Sequence, residues 1–406
     1  MENKSVTMLV ISEITKDPRV YKSAIVTADN DYNVTVICVP NEAPTEEDNL
    51  KINIIRIKKK GFLRKIRNYR DKKNETLSSK SVQSNFGKKQ SRIITTKEFL
   101  KFGVIVFLNI EIFFKGLKNR TPIYHANDLN TLPVGFFLAK LKRAKLVYDS
   151  HELYVEQYSN TSIFYKKILS FIEKIFIRKA DAVITVNDSI AEILSERYNI
   201  SLPITMMNCP VYQNSPSSFK TNNPKKIIYL GRYTEDRGIE ELILSMKYVE
   251  NAKLYLRGFG PHEDFLRALA LNNNLSDKVI FLEPVNMTKM VDSLEGFDIG
   301  IVPYKPVSLN NKLASPNKIF EYMMAGLPIA VSDSPELKKI VLENNVGVLF
   351  DPSDPKDIAN KINNLMGNDK LLKEMRKKAL KCAKSKYNWE VQSRKLISVY
   401  DSLLKH

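Results

Sequence analysis

Cysteine is scarce. Cys38, Cys209 and Cys382 are the only three in 406 residues, odd in number and too scattered for a zinc cluster or a disulfide framework, which fits a reducing cytosol. No apolar run approaches the ~20 residues of a membrane span; the longest, Phe102 to Phe114, is interrupted by Asn109 and Glu111. The apolar start around Val6 to Ile11 is too short for a signal peptide and reads as a buried strand. No DNA- or RNA-binding motif accompanies the basic charge, so nucleic acid is not an expected partner. Metal-ligand spacing is missing too: Asp29-Asn-Asp31 spells Asp-x-Asp, but it falls where a helix should turn into a strand and reads as a turn.

What is present is ordinary globular composition, 43% hydrophobic and 27% charged, at a length that calls for two sizeable cores. Short β-branched runs alternate with helix-length amphipathic segments, the pattern of parallel sheets covered on both faces. The predicted strands of the first half are residues 6–11, 34–39, 52–57, 122–125, 145–149, 182–186 and 204–207; those of the second are 226–230, 253–256, 279–282, 299–302, 329–331 and 347–350. A polar, proline-containing stretch without periodicity, residues 211–224, separates the halves. The expected organisation is a Rossmann-like domain over 1–210, a linker over 211–224, a second Rossmann-like domain over 225–386 and a C-terminal helix over 387–406. Ligands are expected in a cleft beyond the strands' carboxyl ends, with the two domains facing across it. Leu396, Ile397, Tyr400, Leu403 and Leu404 give the last helix an apolar face to bury on one of the domains, a return to the first among them.

The net charge is +18, and residues 51–100, with sixteen Lys and Arg against three Asp and Glu, hold +13 of it. An excess of this size favours an anionic partner, whether a phosphorylated small molecule or an acidic membrane surface. Two readings of the insertion at about 58–95 stay open. Its Ser, Asn, Lys and Gln content suits a solvated loop; Phe62, Leu63, Ile66 and Tyr69, at helical spacing among cations, suit a membrane-surface patch.

The most informative stretch is Ser315-Pro-Asn-Lys-Ile-Phe-Glu-Tyr-Met-Met-Ala-Gly-Leu-Pro328. Ser315 suits an N-cap and Pro316 the first helical position, so a helix is predicted to start there and end near Gly326. Its free N–H groups form an anion site. Lys318 in the first turn is disfavoured by ~0.3–1 kcal/mol unless an anion is near; pairing with Glu321 or exposure to water is the plain alternative. Arg232 and Arg237 flank a tight turn after the first strand of the second half and are candidates to clamp a diphosphate, or two surface arginines of a basic protein.

Taken in order, Gly231-Arg232 with Arg237-Gly238, Leu256-Arg-Gly-Phe-Gly-Pro261, Phe297-Asp-Ile-Gly-Ile-Val-Pro303, Phe320-Glu-Tyr-Met-Met-Ala-Gly-Leu-Pro328 and Phe350-Asp-Pro-Ser-Asp354 resemble the C-terminal domain of glycosyltransferase family 4. Asp17-Pro-Arg-Val20, His125-Ala-Asn-Asp128, Asp149-Ser-His-Glu152 and Asp181-Ala-Val-Ile-Thr-Val186 are similar to the N-terminal half of bacterial members that build surface polysaccharides. The resemblance covers the chain except residues 58–95.

It implies an α/β protein of the GT-B fold. The activity implied is retaining transfer of a hexosyl-type sugar from a UDP- or GDP-linked donor to a glycan or lipid-linked acceptor of lipopolysaccharide or capsule synthesis. Neither metal nor cofactor is implied, and the setting is cytoplasmic, peripheral on the inner face of the plasma membrane. By resemblance Glu321 binds the donor ribose, Arg232 and Arg237 the diphosphate, and Ser315, Asn317 and Lys318 complete the donor site. Of the two histidines at strand ends, His151, flanked by Asp149 and Glu152, is favoured near the sugar. Asp17, Arg19, His125, Asn127 and Asp128 are acceptor-side candidates, with a helix N-cap and a solvated arginine as the plain alternative for the first two. One departure stands out: Leu313 occupies the place, eight before Glu321, where the family carries a Glu that contacts the sugar. Two other functions compete with transfer, a sugar-nucleotide epimerase on the same fold and a catalytically silent module binding membranes or a partner.

Overall fold

A computed structural model describes residues 4–40, 51–57, 95–157, 161–214 and 222–405. Apart from Thr95, the basic insertion with its positions 62, 63, 66 and 69 lies outside the described residues, as do residues 215–221 of the expected linker. The chain forms two compact units, residues 1–205 with 395–406, and residues 206–394.

The first unit is a parallel sheet of seven strands. These are β1 (Ser5–Leu9), β2 (Asn33–Cys38), β3 (Asn53–Arg56), β4 (Ile123–Asn127), β5 (Lys145–Ser150), β6 (Ala182–Thr185) and β7 (Ile204–Thr205), in the spatial order β3-β2-β1-β4-β5-β6-β7. The described helices are α1 (Pro18–Asp29), α2 (Thr96–Gly116), α3 (Leu132–Lys142), α4 (Ile163–Ile177) and α5 (Asp188–Tyr198). Each start has a local cause. Asp17 caps α1 by accepting from the Val20 N–H, with Pro18 at the first position. Thr95 and Glu98 form a reciprocal capping box on α2. The Asp-x-Asp is a turn: α1 ends at Asp29, and Asp31 takes φ 65° just before β2.

The second unit is a six-stranded parallel sheet of β8 (Lys225–Leu230), β9 (Ala252–Arg257), β10 (Val279–Leu282), β11 (Ile299–Val302), β12 (Ile329–Ser332) and β13 (Gly347–Phe350), in the order β10-β9-β8-β11-β12-β13. Its helices are α6 (Ile239–Ser245), α7 (Glu263–Asn272), the short α8 (Leu309–Lys312), α9 (Asn317–Met324), α10 (Pro335–Asn344), α11 (Pro355–Met366) and α12 (Asp369–Ser385). Successive residues of a strand serve opposite faces: Ile227 and Tyr229 enter one core, Ile228 and Leu230 the other. This alternation within fully apolar strands is what a sheet covered on both sides demands.

The second unit begins at Met206, earlier than the expected linker, because Cys209 is buried in its core with Met207 and Tyr212 packed beside it. The Trp389 N–H donates to the Pro210 carbonyl at 2.8 Å. The last helix, α13 (Trp389–Leu404), starts in this unit and from Lys395 belongs to the first. There the Tyr32 hydroxyl donates to Asp401 at 2.6 Å.

One buried carboxylate ties three elements of the first unit. Glu173 on α4 accepts from the Tyr148 hydroxyl of β5 and from the Tyr198 hydroxyl of α5, both at 2.7 Å. Burial raises its pKa against the lowering effect of the two hydroxyls. Glu173→Ala would orphan both hydroxyls at ~1–3 kcal/mol each, whereas Glu173→Gln keeps an acceptor. Urea unfolding should show a loss of about 2–4 kcal/mol for the alanine variant and a clearly smaller one for glutamine; equal losses would contradict this account.

Candidate functional site

In both sheets the strand order reverses beside the first strand, and the loops at the carboxyl edge there hold the polar side chains. Each unit carries its own cluster.

In the second unit, β8 runs into Gly231, whose φ of 135° suits glycine alone; a Cβ there would stand 2.6 Å from the Lys318 Nζ. A Cβ on Gly258 would fall 1.8 Å from the Gly231 carbonyl oxygen, so the loop following β9 also needs its glycine. Arg232 is exposed on the turn. Arg237 ends a 3-10 turn, Glu235–Arg237, and stacks with its guanidinium carbon 4.1 Å from the Tyr304 ring centre. The Lys318 Nζ lies 4.8 Å from the centre of that ring and 4.0 Å from the centre of the Tyr229 ring. Two cations thus share one phenol, with a second aromatic face completing the box.

Lys318 is only 6% exposed, and among the described residues its ammonium makes no hydrogen bond of ordinary geometry. Burial, with the Arg237 charge added, lowers its pKa, while Tyr304 and Glu321 oppose the shift. Tyr304 moves the other way. Burial would raise its pKa, but the neighbouring Lys318 and Arg237 outweigh burial and hold it below the usual phenol value.

The helix start differs from expectation by one residue. Pro316, with ψ 139°, takes the cap position without a side-chain hydrogen bond, and α9 begins at Asn317. Ser315 therefore lies one residue outside the helix, since an extended proline ends the loop in its place. The expected end is close: Ala325 caps α9, and Gly326 follows with φ 68°. Leu313 is buried at the end of α8.

The first unit gathers Arg19, His125, Asn127, Asp128, Asp149 and His151 around one carboxylate. Arg19 donates to Asp149 through Nε at 2.8 Å and Nη2 at 2.7 Å, with both side chains buried. His125 and His151 each place Nε2 3.6 Å from Asp149 Oδ2. His151 Nδ1 is 3.5 Å from Asp128 Oδ2, and its backbone N–H donates to Asp128 Oδ1 at 3.0 Å. Asp128 itself has φ 62°, a left-handed position at the end of β4.

Burial would raise the Asp149 pKa, but Arg19 and His151 outweigh it and hold the carboxyl well below the usual range. For His151 burial acts downward, and Asp128 followed by Asp149 overrides it, taking the imidazole up to about 9. His151 is therefore an imidazolium at neutral pH: it can donate hydrogen bonds and supply charge, but it is not a free base.

Three of the acceptor-side candidates are buried. Arg19 is locked to Asp149. His125 is enclosed, with Nδ1 2.6 Å from the Tyr400 hydroxyl of α13. Asn127 is buried and donates to the Leu9 carbonyl at 3.1 Å. These three hold the cluster from behind. Asp17 is the α1 cap, while Asp128 and His151 stay partly exposed. The sequence reading missed Tyr229, Tyr304 and Tyr400. Tyr304, two residues past β11 at the carboxyl edge, had a positional signal, whereas Tyr400 had been counted only for its apolar ring. Among the described residues no group of three or more His, Cys, Asp or Glu could hold a metal ion.

Residues 212–382 match the family of glycosyl transferases group 1, and residues 96–212 match glycosyltransferase family 4. An uncharacterised glycosyltransferase of Methanocaldococcus jannaschii is 25% identical over 304 residues, 68% of this chain and 74% of that protein. The poly(ribitol-phosphate) alpha-N-acetylglucosaminyltransferase of Staphylococcus aureus is 23% identical over 339 residues, 82% of this chain and 66% of its own. Among solved structures, the Anabaena protein HepE in complex with UDP and glucose superposes with a TM-score of 0.70 at 15% identity, covering 99% of this chain and 100% of that one. Two parallel-sheet Rossmann-like domains and these neighbours place the chain in the GT-B fold class. The chain belongs to glycosyltransferase family 4.

A titration tests the carboxylate cluster. A histidine whose pKa rises from 6.5 to about 9 on folding adds stability that is complete below pH 6.5 and is lost as pH climbs towards 9. The stability difference between wild type and His151→Gln should accordingly shrink across that window. A difference that is flat from pH 6 to about 9 would contradict the assignment.

Proposed function

We propose that the protein is a retaining, metal-independent hexosyltransferase. It takes a sugar from a nucleotide-sugar, UDP- or GDP-linked, and places it on a glycan or lipid-linked acceptor of a surface polysaccharide, working at the inner face of the plasma membrane. In this reading the second domain binds the donor and the first the acceptor. The observation that carries it is the Arg237, Tyr304 and Lys318 box, which holds a buried ammonium without a hydrogen bond of ordinary geometry beside a second cation. Such a site is short of negative charge, and a diphosphate supplies it. As the bond from the anomeric carbon to the phosphate oxygen breaks, its electron pair goes to the leaving nucleoside diphosphate, and fixed cations stabilise that charge without a divalent ion.

Glu321 is assigned to the donor ribose, Arg232 to the outer side of the diphosphate, and Asn317 and Ser315 to the backbone cradle at the start of α9. The cationic His151 is assigned to a sugar hydroxyl as a hydrogen-bond donor. The relatives add support: HepE is described in complex with UDP and glucose, and the Staphylococcus aureus enzyme acts on poly(ribitol-phosphate).

Release of nucleoside diphosphate should require acceptor; acceptor-independent conversion of the donor would favour an epimerase instead. Arg232→Ala and Glu321→Ala should each lower transfer at least tenfold with unchanged unfolding temperature, since a charge-assisted contact is worth about 1.5–3 kcal/mol. Near-wild-type kinetics for both would refute the donor assignment. In a thermal-shift panel of UDP, GDP and ADP, one should raise the melting temperature most, because binding to the native state stabilises by mass action. Activity should also persist in chelator; complete loss restored by magnesium or manganese would overturn metal independence.

A further inference from the structure

Among the described residues, helices α2, α3 and α4 of the first unit carry an apolar face that no other element covers. They enclose a groove of about 970 Å³, whose walls include Phe102, Val106, Phe113, Phe137, Leu141 and Phe176. The face extends beyond the groove. On α4, the wall residues Ile172 and Phe176 continue by helical spacing into Phe171 and Ile175, which are exposed, Phe171 by 64%. On α2, Phe99 and Phe114 are exposed by 69% and 62%. Of the 21 large apolar side chains exposed among the described residues, 11 lie on these three helices. A soluble surface rarely concentrates them so.

The charge on the same helices is net positive. They carry eight Lys and three Glu; Lys166 is paired with Glu156 at 3.0 Å, and two of the three carboxylates are engaged elsewhere. Glu173 is buried with its two tyrosines, and Glu98 serves the Thr95 cap and accepts from the Ser162 N–H at 2.7 Å. Lys140 is exposed, with Nζ 5.8 Å from the Phe136 ring centre. The basic residues 51–100 lead directly into α2. Aromatic side chains interleaved with lysines on helices that lie flat are the chemistry of an interfacial surface. No described helix is long and apolar enough to cross a membrane, so the fit is to a surface.

We infer that the face formed by α2, α3 and α4 docks on the surface of an anionic lipid bilayer, with Phe114, Phe137, Leu141 and Phe171 entering the acyl boundary and the lysines meeting the headgroups. A single lipid chain would fill the groove and leave Phe99 and Phe171 in water; a bilayer covers both. The inference deepens the location proposed above and rests on it. It also moves the contact from the insertion at 58–95 to the folded helices.

The test is co-sedimentation of the full chain with vesicles of phosphatidylcholine alone or mixed equally with phosphatidylglycerol. Wild type should sediment with the mixed vesicles, less so as salt rises. The exposed double variant Phe114→Ser/Phe171→Ser should bind at least tenfold more weakly, with its melting temperature and its acceptor-dependent nucleotide release on a soluble acceptor unchanged. Lys142→Glu should weaken binding and flatten the salt dependence. Wild type that stays in the supernatant overturns the location and this face together, leaving the transfer reaction standing. Variants that sediment like wild type overturn this face alone. Self-association of wild type that the double variant abolishes, without vesicle binding, would make the face an interface between copies. Vesicle binding that appears only after residues 58–94 are removed would make that segment the occupant.

Discussion

A parallel sheet covered by helices on both faces leaves its polar side chains one place to gather, the loops at the strands' carboxyl edge. Both units obey this constraint, and the chemistry of the chain follows from it. Apolar strands such as Ile227 to Leu230 supply the two cores and offer no functional groups. The residue types that can bind or react are displaced to Gly231 onwards, Pro303 onwards, Asn127 to Asp128 and Asp149 to His151. Where the strand order reverses, neighbouring loops diverge, and side chains from several of them meet.

The two clusters solve the same electrostatic problem to different ends. In the first unit a buried carboxylate, Asp149, meets a bidentate guanidinium and two imidazoles, and the arrangement is closed: each charge has a partner within about 4 Å. Such a network fixes geometry, and here it fixes the partly exposed His151 as a cation. In the second unit a buried ammonium, Lys318, meets two aromatic faces and another cation. Quadrupoles soften the cost of burial without neutralising the charge, so the arrangement is open and complementary to an anion. One cluster is internally neutralised and the other keeps an excess of positive charge, a distinction that residue identity alone does not make.

This explains which parts were legible in the sequence. All thirteen described strands lie at or within a residue or two of their predicted positions, because short β-branched apolar runs bounded by turn residues are local signals. Lys318 drew attention in the sequence because a lysine in the first turn of a helix is locally unfavourable and asks for a reason, and the structure buries it between two tyrosine rings. Arg19 was not legible. Its place beside a helix cap gave no sign that it would reach Asp149, 130 residues away, and a salt bridge of that separation is decided by topology. The same holds for the Tyr400 hydroxyl on His125, which requires the last helix to have joined the first unit. Cys209 moved the boundary between the units for a similar reason: a small apolar side chain in a polar stretch carries no periodicity, yet it is buried.

The uncovered face of α2, α3 and α4 was the least legible feature, although every residue of it was in view. In the run Phe102 to Phe114 the interrupting Asn109 and Glu111 correctly exclude a span, and the natural inference is then a buried helix. Yet α2 buries only Leu108, Ile112 and Gly116. Asn109 is spent on a local task, donating to the Ile105 and Asn130 carbonyls, and so does not mark a solvated side. A helix whose apolar residues run all the way round has more hydrophobic surface than one sheet can cover, and periodicity cannot say which part stays outside. Only the packing of α3 against α2 decides that. Once it is decided, the exposed remainder and the surplus of lysines on the same helices become one feature, and it points outward from the fold.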